Sequence, residues 1–254
     1  MRVIVIDTET IGKVSQDLLN VGYKIVDINI QQATYTTLCE RDYLVCELIN
    51  NEVYCINDDF VGAIKYDKYM VALKQKKAIK RNIKQIFTTL SNDIKKYGVL
   101  FGYAYNCAFD TDKFTRTAEK YGISNPLDQI PVFDIWAYAF EYICSTPEYI
   151  SWAKENNVFS DTEKYIKTSV EAVCKYLYGN LDFIEDHTAL SDVQHETAIL
   201  IECIKNGCDI TRPLPKAKRI ASEKVFTKVI KYKDTEIIVE YTSCYERNGV
   251  ITYK

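Results

Sequence analysis

The chain is poor in histidine and glycine, with two and nine of each in 254 residues, and it has no Cys-x-x-Cys pair among its nine cysteines. The cysteines are odd in number and scattered, and the two nearest in sequence, Cys203 and Cys208, lack the spacing of a zinc module. They read as reduced thiols of a cytosolic protein, so neither disulfides nor structural zinc is expected. No apolar run approaches the roughly 18 residues that a membrane span requires. Nothing at the N-terminus reads as a signal peptide, so the expected location is the cytoplasm, away from membranes. A strong charge of either sign is missing too: the net charge is -3, and any contact with nucleic acid has to come from local patches.

What is present is an ordinary globular balance, 47% hydrophobic and 26% charged, in a length suited to one well-packed domain or a large domain with a small appendage. An opening strand over 2–7 is followed by "YKIVDINI" and by "ATYTTLCE" and "DYLVCELI", whose alternation predicts further strands of a meander. From Ala78 onward Ile79, Ile83, Ile86, Phe87, Leu90, Ile94 and Tyr97 recur at helical spacing. Lys74, Lys76, Lys77, Lys80, Arg81 and Lys84 gather near the expected helix start, as a solvated face or else as a funnel for an anionic chain. "GVLFGYAYN" predicts a buried strand that delivers Asn106 to its end, and "FDTDKFTRTAEKYG" predicts a helix closed by Gly122. "IPVFDIWAYAFEYI" repeats strand into helix. Thr168 and Glu171 have capping-box spacing ahead of a helix stopped by Gly179, and a last helix is expected over 189–205.

After Gly207 the texture changes. Arg212, Lys216, Lys218, Arg219, Lys224, Lys228, Lys231 and Lys233 stand against Glu223 alone between 212 and 233. Beyond, "KVIKYKDTEIIVEYTSCYERNGVITYK" predicts a small β-meander with turns at Lys233-Asp234 and Asn248-Gly249. Residues 1–206 therefore read as the main α/β domain, and 207–254 as a basic linker with a β extension, either a packing appendage or a basic clamp.

Three places carry candidate chemistry. In "VIVIDTET" an aliphatic strand ends in Asp7 and Glu9, which point to the same side because strand side chains alternate. Either Asp7 caps a turn and Glu9 is solvated, or the pair grips a divalent metal. The second place is "YNCAFD", with Asn106 at a strand end and Asp110 in the first turn of a helix. The third is "HTALSD": five helical steps put His187 and Asp192 about 140° apart. They converge only if His187 sits in the loop before the helix.

In order, spacing and local context these motifs resemble those of the DEDDh family of 3′-to-5′ exonucleases, which includes the proofreading epsilon subunit of bacterial replicative polymerase and ribonuclease T. The resemblance spans about residues 1–206. The phrase around His187 is also similar to that of phage-encoded members, and 20 tyrosines against nine glycines fit an AT-rich viral genome. The resemblance implies a ribonuclease H-like core, a mixed five-stranded sheet flanked by helices. It implies two magnesium ions, replaceable by manganese, with Asp7 bridging both and Glu9, Asp110 and Asp192 completing the ligands. His187 would be the general base. Thr10, Ile11, Gly12, Asn106 and Phe109 would meet the terminal nucleotide of a nucleic acid with a free 3′ end. Single-stranded DNA is the favoured substrate and 5′-mononucleotides the product.

A DNA polymerase or other replication partner, and a homodimer, remain open on the same grounds. His195 reads as structural or surface, Asp112 and Asp134 as helix N-terminal charges, and "STPEYISWAKENNVFSDTEKYIK" as an elaboration that either shapes substrate access or only packs. Two rivals stand beside this reading: an exoribonuclease, and a catalytically silent docking subunit.

Overall fold

Val3, Ile4, Val5 and Ile6 are wholly buried. A run apolar on both faces belongs in the middle of a sheet covered from both sides, and strand β1 (Arg2–Thr10) lies there. The computed structural model describes residues 1–10, 17–50, 62–224, 226–232, 235–241, 244–247 and 250–253. Strand β2 (Leu18–Asn29) runs antiparallel to β1, and β3 (Thr34–Val45) antiparallel to β2. On the other side, β5 (Phe101–Ala104) and β6 (Val132–Asp134) follow in parallel. The order β3-β2-β1-β5-β6 with only β2 reversed is the ribonuclease H-like sheet. A short β4 (Ile79–Arg81), parallel to β3, adds a sixth strand at that edge.

The alternation along β1 sorts the core into two layers. Val3 and Val5 pack with Val193, Ile199 and Leu200 of helix α8 (Ala189–Lys205) and with helix α5 (Ile135–Ala139), which continues as a π-helical turn over Phe140–Cys144. Ile4 and Ile6 pack with Ile86, Phe87 and Leu90 of α3 (Ile83–Tyr97) and with Phe114 of α4 (Ala108–Tyr121). Helix α2 (Gly62–Lys74) covers a third, smaller cluster in which Tyr69 meets Leu19 and Leu44.

Several expected boundaries move. "ATYTTLCE" and "DYLVCELI" are not two strands: β3 runs unbroken through both, and Cys46–Ile49 turns into a short helix, α1. The helix expected from Ala78 starts at Ile83, because Asn82 and Gln85 close a capping box there, while Ile79 is left 46% exposed on the edge strand. The cap of α7 (Val170–Tyr178) is Ser169, whose hydroxyl accepts from the Ala172 amide. Thr168 instead takes the Trp136 indole N–H on its hydroxyl and the Tyr105 hydroxyl on its carbonyl. Gly122 and Gly179 end α4 and α7 in the left-handed conformation, at φ 60° and 62°.

The elaboration between β6 and α7 holds helix α6 (Pro147–Glu155), tied down by a cluster of Tyr149, Trp152 and Tyr176. The stretch after Gly207 runs back over this side. The Tyr103 and Tyr138 hydroxyls donate to the carbonyls of Ile210 and Arg212, Arg219 stacks on Tyr165, and Lys224 pairs with Glu163. Beyond it, β7 (Phe226–Tyr232) pairs with β8 (Thr235–Tyr241) and β9 (Cys244–Arg247) with β10 (Val250–Tyr253), and among the described residues these are two separate antiparallel pairs rather than one meander. The turn residues expected at Lys233-Asp234 and Asn248-Gly249 lie outside the described residues. Cys39, Cys46, Cys107, Cys144, Cys174, Cys203 and Cys208 are free, most of them buried. No helix among the described residues is long and apolar enough to cross a membrane.

Candidate active site

The alternation of β1 also distributes the polar residues at its exit. Thr8 continues the even positions facing α4, and its hydroxyl donates at 2.7 Å to Oδ1 of Asp110, in the first turn of that helix. Asp7 continues the odd positions facing α8, the helix that carries Asp192 in its first turn. One strand thus addresses both helices, with Asp110 1% and Asp192 4% exposed.

The approach of α8 to the sheet depends on Gly22, the partner of Asp7 across β1 and β2. A Cβ at Gly22 would sit 2.3 Å from the Leu190 amide nitrogen and 2.4 Å from the Ala189 carbonyl carbon, both backbone atoms of the first turn of α8. Asn20 fastens the same turn: its Oδ1 accepts from the Ala189 amide at 2.9 Å while its Nδ2 donates to Asp42. His187 precedes the helix in the loop, at the left-handed φ of 52°. The loop is gripped on two sides. Phe183 packs edge-on to Tyr178 and His195, and Lys68 of α2 donates to the Asp186 carbonyl at 3.0 Å and carboxylate at 3.1 Å. His195, hydrogen-bonded to the Tyr178 hydroxyl at 3.0 Å, belongs to this support and not to the cleft.

Glu9, His187 and Asp192 each place a potential ligand atom within 4.8 Å of the others. Burial pushes the Asp7 carboxyl far above the usual carboxylate range, and the charges of Asp110, Glu196, Asp192 and Glu9 push it further. Asp110 is raised to about 7 by burial, against the opposing hydrogen bond from Thr8. The Asp7 Oδ2 is shielded and has no hydrogen-bond partner among the described residues. An acid held in this way is accommodated either by protonation or by a bound cation. The carboxylate oxygens suit a hard divalent ion such as magnesium or manganese.

Two residues that the sequence reading passes over also lie here. Glu196 of α8 is 2% exposed and exchanges charge repulsion with Asp110 and Asp192. Tyr69 of α2 is 1% exposed, its hydroxyl has no hydrogen-bond partner, and the charges of Glu9, Asp42, Asp7 and Asp192 reinforce burial in raising its pKa. Glu196 left a signal, since it follows Asp192 by one helical turn on the same face. Tyr69 left none, because α2 is far from every motif in sequence.

Of the remaining expected site residues, Thr10 ends β1 after a bulge at Glu9/Thr10. Ile11 and Gly12 lie outside the described residues. Asn106 turns the chain after β5 at φ 59°, its amide held by Asp134 Oδ1 at 2.9 Å. Phe109, next to Asp110, is 40% exposed with the Lys113 ammonium 4.9 Å from its ring centroid. Asp134 caps α5 through the Trp136 amide, and Asp112 pairs with Lys113 and Arg116, so neither joins the cleft acids. A groove of about 630 Å³ with His187 at its edge runs between the elaboration and α7, lined by Phe159, Lys167, Glu171 and Lys175.

No protein-family model and no curated protein matches this chain. Among solved structures it is similar to the nuclease domain of 3′hExo, a DEDDh family member, bound to rAMP. The TM-score is 0.45 and the identity 10%, over 86% of this chain and 97% of that domain.

Proposed function

We propose that this protein is a metal-dependent 3′-to-5′ exonuclease of the DEDDh type, acting on single-stranded DNA and releasing 5′-mononucleotides. The observation that carries the reading is the approach of Glu9, His187 and Asp192 to within 4.8 Å of one another, with the charges of Asp110, Asp192 and Glu9 acting on Asp7. Asp7, Glu9, Asp110 and Asp192 would hold two magnesium ions, or manganese in their place, which when bound neutralise the acids and the charge that develops on the phosphate. Thr8 orients Asp110, and the two-sided grip on the 183–187 loop holds the imidazole over Glu9 and Asp192.

His187 accepts the proton of the attacking water on a ring nitrogen. The water oxygen bonds to phosphorus as the bond to the 3′ oxygen breaks, leaving a 3′ hydroxyl on the shortened strand. The imidazole is exposed to solvent, with which it exchanges that proton. Asp110 and Asp192 are poorly placed for this exchange, because they are 1% and 4% exposed. A frayed, unpaired end reaches such a cleft at the least unstacking cost. Phe109 and Asn106 would meet the terminal nucleotide, together with Thr10, Ile11 and Gly12. Residues 207–254 are an extension to this nuclease domain, and the enzyme works in the cytoplasm.

The test is degradation of 5′-labelled single-stranded DNA and RNA, with magnesium or chelator, wild type beside Asp7→Ala. A metal-dependent ladder shortening from the 3′ end, absent in the variant, is expected on DNA. A ladder on RNA alone would reassign the substrate, and no ladder from folded, magnesium-supplied protein would overturn the reading.

A further inference from the structure

Between Lys68 and Asn92 the chain carries Lys68, Lys74, Lys76, Lys77, Lys80, Arg81 and Lys84 and no acid, although acids outnumber bases by 35 to 32 in the whole sequence. In the fold this tract forms the end of α2, the turn after it, the edge strand β4 and the start of α3. From Lys74 to Lys84 every one of these cations is exposed, and among the described residues only Lys68 is ion-paired, to Asp186. Lys80 donates to the Asn50 side chain at 2.9 Å, and Glu47, close to the start of α3, is taken by the Ile83 amide at 3.2 Å.

Strand register sets the edge beside the cleft. Glu9 pairs with Asn20, Asn20 with Leu44, and Leu44 with Lys80. Lys80 therefore stands in the row of Glu9, three strand spacings or about 14 Å away. Members of one row share a face of the sheet, and on that face Asn20 holds the first turn of α8, which carries Asp192. At the other end of the tract Lys68 holds Asp186, next to His187, through its carbonyl at 3.0 Å and its carboxylate at 3.1 Å.

We propose that the turn after α2 and the edge strand β4 form a track for the sugar-phosphate backbone of a single strand whose 3′ end lies in the cleft, with Lys76, Lys77, Lys80 and Arg81 on its phosphates. This rests on the nuclease reading and extends it to nucleotides upstream of the scissile bond. The separation from Glu9 corresponds to about four nucleotides of stacked strand. Lysines commonly guard a sheet edge against pairing with another chain, but that accounts only for β4, and Lys76, Lys77 and Lys84 lie outside it. Lys76 is the more telling residue. Its φ is 58°, and the Lys76 and Lys77 amides donate to the carbonyls of Leu73 and Ala72 to close α2. Gly122 and Gly179 occupy the same place at the ends of α4 and α7. At the end of α2 a charge is kept where only glycine is free of strain. Left unpaired, these cations repel one another, and a polyanion relieves that repulsion while releasing its own counterions.

The experiment is fluorescence anisotropy of labelled single-stranded DNA, of about 16 and of about three nucleotides, in chelator over a range of salt. It compares wild type with a variant combining Lys76→Gln, Lys77→Gln, Lys80→Gln and Arg81→Gln, with Lys76→Gly, and with a variant combining Lys216→Gln and Lys218→Gln in the basic stretch after Gly207. Melting temperatures are taken on the same samples. The fourfold variant is expected to bind the longer strand about 10- to 100-fold more weakly at low salt, with a slope of log K on log salt shallower by about 3, from four phosphate contacts at roughly 0.7 each. The advantage of the longer strand over the shorter should vanish with it. Lys76→Gly is expected to melt higher than wild type and yet bind the longer strand more weakly, which a lysine of purely structural role would not do. Wild-type affinity and slope in the fourfold variant would overturn the track, as would a loss confined to the Lys216 and Lys218 variant. If wild type with magnesium fails to shorten a strand that it binds through these residues, the nuclease reading falls and the track stands.

Discussion

The floor and the rim of the cleft are built from opposite materials. The floor, Asp7, Asp110, Asp192 and Glu196, stands on the central strand and on two helices packed against it, and three of these four acids are at most 4% exposed. At the rim, His187 and Asn106 stand on a loop end and a turn at left-handed φ, and Phe109 in the exposed first turn of α4. The floor is held by the same alternation that packs the core, so its charges cannot move apart to relieve their repulsion. The rim is free to meet solvent and substrate. Charge is stored where the fold is stiff, and the exposed side chains stand where it is open.

Substitutions can break this division. The largest effect is expected from the floor: Asp7→Ala should abolish turnover while the protein melts no lower than wild type, because a buried charge has been removed. A mutant with measurable turnover would mean that the floor is not the reacting centre. At the rim, His187→Ala should slow turnover by roughly 100-fold yet leave manganese affinity close to wild type; equal losses in both would erase the distinction. The joint between floor and rim is Gly22. Gly22→Ala drives a Cβ against the backbone of α8, so denaturant unfolding should show a loss of about 3 kcal/mol, with activity falling as Asp192 is displaced.

Acidity gives a subtler contrast. The ordinary carboxylate value of 3.8 for Asp110 rises to about 7 in the fold, and Asp7 and Glu196 shift in the same direction. A raised acid favours the folded state when protonated, so its contribution is present below its unfolded value and lost as pH rises through the folded one. The metal-free protein should therefore melt lower at pH 8 than at pH 5, and saturating magnesium should remove most of that slope. Melting curves in chelator and in magnesium decide it. The smallest effect belongs to Tyr69→Phe, which removes a buried hydroxyl that lacks a partner. Its stability should stay within about 1 kcal/mol of wild type or rise.

Much of this arrangement could be read beforehand wherever a local pattern carried it. The helix over Ala189–Lys205, the left-handed stops at Gly122 and Gly179, and the exit of Asp7 and Glu9 from an apolar strand all follow from short-range spacing. Errors came where two local signals competed. At Ile79 the helical spacing of isoleucines was overruled by the Asn82 capping box, and at Thr168 the indole of Trp136 claimed a hydroxyl that sequence spacing assigned to a cap. Glu196 escaped notice because a glutamate in an amphipathic helix ordinarily faces water. Tyr69 escaped because its place depends on how α2 lies on β2 and β3.

By itself, the sequence determined which residues have the chemistry to hold metal and move a proton, and on which strand, helix or loop each would stand. Those properties depend on side-chain type and on periodicities that span a few residues. Only the tertiary structure decided that Gly22 lets α8 reach the sheet, that Thr8 meets Asp110, and that Glu196 is buried among acids. Each of these is a contact between segments far apart in the chain, set by close packing and by the loss of water around charge.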